Sequence, residues 1–399
     1  MYDKPKMSMN GLCATARLGP VFLIACTTIA TTCAETPRSQ DSKTKARVYI
    51  SNYARAEAGG IYLAELNLVT GDLQLIRLVA DLKKASFLAL HPNHRYLYAT
   101  GEVGGYLDSN GGALLAFEID VNNGNLTLLN HQSSAGAGPC YVSLDRNGKH
   151  ALVANYDGGN VAVLPIGDDG RLQPASSTIM NRGSSIHKTR QTGPHPHAMN
   201  IDPANRFVFV PDLGLDKVLA FRFYAATGTL APNNLNAAAV KPGAGPRHIV
   251  FHPNGNWAYV INELDSTVAI LKYDSETGRL TSLETVSTLP AGITTDNITG
   301  EIVIHPNGRF LYASNRGHDS IAVYAIDQLT GRLSSLGQHL AGGRVPRNFN
   351  IDPSGKFLLA ANMDSDSVTV HQIDLATGKL SRLPHEIKIV QPYCIEFAP

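Results

Sequence analysis

Beyond residue 46 the apolar residues come in short runs, separated at regular intervals by Gly, Pro, Asn and Asp. Runs such as "FLLAAN" and "SVTVHQI" have the length and β-branched content of strands, and no long amphipathic period suggests a helix. Two turn markers recur between them. The first is [T/N/D]-G-x-L, with glycines at 71, 124, 170, 228, 278, 331 and 378, seven copies spaced 46 to 58 residues apart. Glycine there suits the positive φ of a tight hairpin turn. The second is the "HPNG" or "DPSG" type, starting at His91, Asp145, Asp202, His252, His305 and Asp352, with only six copies.

Each unit therefore reads as four strands. Strand A precedes the Pro-Asn-Gly turn, strand B follows it and ends near Asn, strand C comes next, and strand D follows the T-G-x-L turn. Seven such units predict an all-β chain folded as a seven-bladed β-propeller. The missing seventh marker has a meaning. The chain ends in "QPYCIEFAP", an A strand with nothing after it, while "RVYISN" near residue 47 is a B strand with no A strand before it. The C-terminal strand is thus expected to complete the N-terminal blade and close the ring, leaving no open edge.

The first 46 residues differ in composition. "LGPVFLIACTTIA" is apolar but too short to span a bilayer, and small residues follow it. This pattern predicts a signal peptide over 1–34, cleaved after Ala34, a flexible linker over 35–46 and the propeller over 47–399. A lipoprotein signal anchored at Cys26, in "LIAC", is a second reading, and a plain N-terminal tail is a third. Either signal implies a periplasmic or secreted protein. Of five cysteines, Cys13, Cys26 and Cys33 lie in this segment, so Cys140 and Cys394 alone make no disulfide framework. A net charge of +1, with Lys and Arg dispersed, argues against nucleic acid, and no stretch predicts a membrane span; a monomer is expected.

Topology locates the chemistry. Strands A and B are antiparallel, so the start of A, the end of B and the B–C and D–A loops share one face. Six residues before each A–B turn proline, or its equivalent, stand Ser86, Cys140, His197, Arg247, Gly300, Arg347 and Tyr393. One residue past the B-strand Asn stand Tyr53, Glu102, Tyr156, Leu213, Glu263, Arg316 and Met363. A scaffold position would repeat one residue type, and these diverge. Their charged members cluster in consecutive units: His197, then Arg247 with Glu263, Arg316 and Arg347. Guanidiniums in that number suit an anionic substrate, because they bind carboxylate or phosphate with paired hydrogen bonds. Each also has a plainer reading, Glu263 as no more than the ion-pair partner of Arg247. His195 and His197 form an H-x-H without a third ligand, so neither a metal nor any other cofactor is expected. His91, His252 and His305 lie at the A–B turns on the other face and read as structural, and Asp319, Asp364 and Asp366 read as loop caps. No G-x-S-x-G, H-E-x-x-H or P-loop is present.

The frames "GPHPHAMNIDP", "GPRHIVFHPNG", "SNRGHDSIAVYAID" and "VPRNFNIDPSGKFLLAANMDSDSVTV" resemble the seven-bladed lactonase family. That family includes the propeller-type bacterial 6-phosphogluconolactonases and the fungal carboxy-cis,cis-muconate cyclases. The resemblance implies a site of one His, one Glu and two Arg, which map to His197, Glu263, Arg247 and, by its "SNR" frame, Arg316. Arg347 remains an alternative for the second arginine. Substrate contacts are further expected from Arg347, His195, Arg190, Asn262 and Asn315. The expected reaction is hydrolysis of a small anionic or sugar-acid lactone, with Glu263 or His197 as base. Lactone formation by a cyclase-type enzyme and a non-catalytic binding propeller stand as alternatives. An export signal is at odds with a cytosolic phosphosugar, which leaves the phosphorylation state of the substrate open.

Overall fold

The computed structural model describes residues 44–54, 59–101, 111–233, 237–293 and 295–398. The expected signal peptide, the lipidation site Cys26 and Glu102 lie outside them. Among the described residues no helix is long and apolar enough to cross a membrane.

Seven sheets follow one another in chain order. Blade 2 shows the plan: strands Ala85–Leu90, Tyr96–Gly101, Ala113–Ile119 and Leu126–Ser133, each paired antiparallel to the next. Blade 4 departs from it. Its A strand is only Asn200–Ile201, and its outer edge is shared by Thr229–Pro232 and Ala238–Ala239. Blade 1 is assembled from both ends of the chain. The strand Pro392–Ala398 pairs antiparallel with Lys45–Asn52, from Arg47 opposite Ala398 to Asn52 opposite Pro392. The first strand starts at Lys45, so the last two residues of the expected 35–46 linker already belong to the sheet.

A four-stranded sheet with two apolar faces must cover both. Here each face is covered by the next blade, and the core is divided into seven interblade layers. Phe357, Leu359, Val368 and Val370 of blade 7 pack on Val48, Ile50, Ala64 and Leu66 of blade 1. The other six layers repeat the arrangement around the ring. Residues such as Val48, Ile50, Leu66 and Leu359 are fully buried, each contributing about 1.5–3 kcal/mol by removal from water.

The recurring turns serve the same interfaces. A buried B-strand tyrosine donates its Oη proton to the T-G-x-L glycine carbonyl of the next blade: Tyr49 to Gly124, Tyr98 to Gly170, Tyr259 to Gly331 and Tyr312 to Gly378, all at 2.8–2.9 Å. The A–B turn histidines do likewise. His91, His252 and His305 direct Nε2 at the carbonyls of Gly148, Gly308 and Gly355, at 2.9, 2.7 and 2.8 Å. Their Nδ1 atoms accept from backbone N–H groups two residues on. Where the marker begins with Asp, as at Asp352, the carboxylate accepts instead from Ser354 and Phe357 within its own turn. These residues are structural, as expected. Asp319 and Asp366 also cap backbone, accepting from Val345 and Gln391 of the adjoining loops.

Deleting residues 391–399 should expose Lys45–Asn52 as a bare edge and uncover two interblade layers. We expect the melting temperature to drop by more than 15 °C or cooperative folding to be lost. An unchanged melt would show that closure is not needed for stability.

Candidate functional site

The A strands line the channel, and nearly every one carries a bulge at the same place. Pairing skips Cys140, Arg247, Arg347 and Tyr393, each between two regularly paired neighbours. A bulged residue leaves the alternation of its strand, so its side chain can be re-aimed. Here the bulges bring those side chains to one mouth of the channel. His197 occupies the same place in blade 4, just before the shortened A strand, with its N–H on the Pro211 carbonyl. Glu263 follows strand Trp257–Asn262, and Arg316 ends strand Phe310–Arg316.

These residues form a pocket of about 350 Å³, walled by Tyr53, Cys140, Tyr156, Arg190, His197, Glu263, Arg316, Arg347 and Tyr393, with Asp157 at its rim. The Glu263 carboxylate is its centre and is only 3% exposed. Oε1 accepts from Arg190 Nη2 at 2.6 Å; Oε2 lies 3.1 Å from Arg247 Nε and 2.9 Å from Arg316 Nη2. His197 Nε2 is 3.8 Å from Oε2, too long for a hydrogen bond. His197 Nδ1 is 3.7 Å from Cys140 Sγ.

Burial alone would raise the Glu263 pKa. The guanidinium charges of Arg316, Arg247 and Arg190 reverse that and hold the carboxyl well below its ordinary range. His197 is driven well below the usual imidazole value, first by burial and then by Arg247, against the opposing pull of Glu263. At neutral pH the pocket therefore holds a carboxylate with every oxygen engaged and a neutral imidazole. Three guanidiniums pair with that one carboxylate and a fourth, Arg347, stands on the same wall, an excess of positive charge that a bound anion would offset.

The structure sorts the expected residues into three groups. His197, Glu263, Arg316, Arg347 and Arg190 lie on the pocket wall. Arg190 reaches it from the long D–A loop before blade 4, also donating to Tyr156 Oη at 3.2 Å. Arg247 lies beneath the floor. Its Nη1 donates to the Gly300 carbonyl at 2.8 Å and approaches His248 Nε2 at 3.0 Å; His248 Nδ1 in turn meets Glu301 Oε1 at 2.7 Å. Arg247 thus holds Glu263 from below and does not face the cavity. His195, Asn262 and Asn315 are absent from the wall. The His195 ring stacks on Tyr156 with centroids 4.4 Å apart, and its Nδ1 bonds the Tyr156 carbonyl. Asn262 donates to Thr267 Oγ1. Asn315 donates to the Thr288 carbonyl in the preceding D–A loop, as Asn52 does to Val390 and Asn155 to Ser134. These asparagines end their B strands by clamping the neighbouring loop, which is why the residue type recurs.

Tyr53, Tyr156, Tyr393 and Cys140 are wall residues that a search for charge passes over. They occupy the same two unit-equivalent positions as the charged residues, and that position was the available signal. A larger cavity of about 520 Å³ opens at the other mouth, between Phe87, Tyr141, Asn200, Glu301, Asn350 and Glu396. It lacks the ring of guanidiniums, and the Arg247–His248–Glu301 layer separates it from the pocket.

The fold and site together define a closed seven-bladed propeller with a guanidinium-lined, carboxylate-centred pocket at one channel mouth. The chain belongs to the family described as Lactonase, 7-bladed beta-propeller, whose model matches residues 47–397. It is 36% identical over 301 residues to a 6-phosphogluconolactonase of Bacillus subtilis (strain 168), covering 75% of this chain and 83% of that protein. A solved structure from Bacteroides fragilis NCTC 9343 superposes with a TM-score of 0.84 at 34% identity, covering 90% of this chain and 100% of that one. A periplasmic gluconolactonase of Pseudomonas aeruginosa superposes with a TM-score of 0.83 at 29% identity, covering 89% and 99%.

Glu263→Gln should leave the buried Arg247 and Arg316 without their counter-charge. Breaking a buried pair from one side costs about 3–5 kcal/mol, and denaturant unfolding at pH 7 should show a loss of that order. Because the folded-state pKa of Glu263 is depressed, the wild-type advantage is fully present above the unfolded carboxyl value. It should shrink only as pH falls below that value toward the folded pKa. A variant as stable as wild type at pH 7 would contradict this ion-pair hub.

Proposed function

We propose that this lactonase opens a sugar-acid lactone of the 6-phosphogluconolactonase type with a water molecule activated by His197. One observation carries the choice of base: both oxygens of Glu263 are occupied by guanidiniums, while the neighbouring imidazole is neutral. A carboxylate held far below its ordinary pKa is a weak base, and a neutral imidazole can accept a proton at pH 7. Water would attack the lactone carbonyl as His197 takes its proton. The tetrahedral oxyanion would be stabilised by Arg316, a fixed donor that needs no reorganisation. Arg190, at the more exposed rim, and Arg347 would hold the acid or phosphate group of the substrate. Collapse of the intermediate breaks the ring C–O bond, and the imidazolium returns its proton to the leaving alkoxide. Glu263 and Arg247 would orient the arginines and take no proton.

The relatives named as lactonases support hydrolysis over lactone formation or non-catalytic binding.

A pH-stat screen of aldonolactones, with and without a 6-phosphate, tests this reading on the mature protein. We expect turnover on at least one class. Since the folded-state pKa of His197 is depressed, kcat/KM should stay level from pH 7.5 down past 6.5 and fall only at more acidic pH. His197→Gln should lower kcat about 10²–10⁴-fold, the usual contribution of a general base. Wild-type kcat in His197→Gln would remove His197 from the mechanism.

We further propose that the chain is exported. The short apolar stretch before "TTCAETPRSQ" supports this, as does similarity to a protein described as periplasmic. N-terminal sequencing of protein from fractionated cells should find a start near Glu35, or a lipid-modified Cys26. An intact Met1 in the cytosol would refute it.

A further inference from the structure

Arg347 is held differently from the other guanidiniums of the pocket. Arg190 and Arg247 hydrogen-bond the Glu263 carboxylate, and Arg316 forms an ion pair with it while donating to the Thr299 carbonyl. Arg347 instead lies on an aromatic ring: its Cζ is 4.1 Å from the Tyr393 centroid. Tyr393 in turn stacks on Tyr53, with centroids 4.7 Å apart and planes within 18° of parallel. Lys84 Nζ sits over the Tyr53 ring at 5.6 Å. The four side chains make a column in which two cations cap a pair of stacked rings. A guanidinium lying over a ring is attracted by the ring's negative face, and its N–H donors project sideways from the column.

The column also spans the closure of the ring. Tyr393 is the bulged residue of the C-terminal strand, skipped between Cys394 opposite Ser51 and Pro392 opposite Asn52. Tyr53 follows the first strand directly, and its N–H donates to the Gln391 carbonyl at 3.0 Å. Arg347 is itself the bulged residue of the last complete blade, skipped between Pro346 and Asn348. The two rings reach the pocket only because the first and last strands are paired there. Tyr53, Tyr393 and Arg347 also wall a groove next to the pocket, with Ala54, Met363, Val390 and Gln391 on its other sides.

We propose that Tyr393 and Tyr53 are positioning residues that hold Arg347 against the substrate's anionic group, so that ring closure completes the binding site as well as the fold. This rests on reading the cationic pocket as the lactone site. The two rings act through Arg347 and take no part in proton transfer, so their loss should appear in KM more than in kcat.

The test is steady-state lactone hydrolysis by the whole mature chain and its variants, with thermal melts alongside. Arg347→Ala should raise KM about tenfold or more, the effect of losing one positioned charge contact. Tyr393→Leu keeps bulk and removes the π face; it should raise KM by a similar factor and change kcat less than about threefold. Tyr393→Phe keeps the stack and should restore KM to within about twofold of wild type. In the Arg347→Ala background, Tyr393→Leu and Tyr53→Leu should add nothing further, because their effect runs through the guanidinium. If Tyr393→Leu does not fold, Tyr53→Leu carries the same comparison from outside the sheet ladder. Raised KM in Arg347→Ala with unchanged KM in the tyrosine variants overturns the positioning role and leaves the pocket standing. Wild-type kinetics in Arg347→Ala overturns the proposal, while the pocket reading is decided separately by His197→Gln.

Discussion

A propeller blade has two apolar faces, and neither can be covered by the blade itself. Each face needs a neighbour, so a row of blades is stable only when the last meets the first. In this chain that requirement falls on the pairing of Pro392–Ala398 with Lys45–Asn52. The pairing removes the open edge and seals the layer in which Phe357 and Leu359 meet Val48 and Ile50. Tyrosine and histidine pins from one blade to the glycine carbonyls of the next tie blade 1 to 2, 2 to 3, 5 to 6 and 6 to 7.

The pocket follows from that frame. Bulges at one height of the inner strands turn Cys140, Arg247, Arg347 and Tyr393 out of alternation and into the channel mouth. Opposite charges then organise themselves around the carboxylate with the shortest reach to all of them. Glu263 holds Arg190, Arg247 and Arg316 at 2.6–3.1 Å, which fixes three long and flexible side chains at once. The same arrangement engages both Glu263 oxygens and leaves the imidazole beside it uncharged. The carboxylate is thereby an ion-pair anchor, which is why His197 is the base we propose.

The repeat, the blade number and the strand-swapped closure were legible in the chain because they are local. Seven T-G-x-L turns, six Pro-Asn-Gly turns and an unfinished A strand at Pro399 say as much without coordinates. The face that carries the chemistry was legible too. Strand direction alone places the start of A and the end of B together, and the divergent residues at those positions include every charged group of the pocket except Arg190 and Asp157.

Which of those groups meet was decided only by the tertiary structure. Contacts between residues of different blades depend on ring radius, bulge geometry and side-chain reach, none of which a repeat spacing encodes. Arg247 and Arg347 are unit-equivalent in sequence. Yet one lies below the floor between Glu263 and Gly300, and the other lies on Tyr393 at the wall. Asn262 and Asn315 share the recurring position of their strands, but they spend their hydrogen bonds on neighbouring groups. The aromatic wall was missed because Tyr53, Tyr156 and Tyr393 carry no charge. Their place comes from stacking on His195, on each other and under Arg347; the last two contacts exist only once the ring has closed.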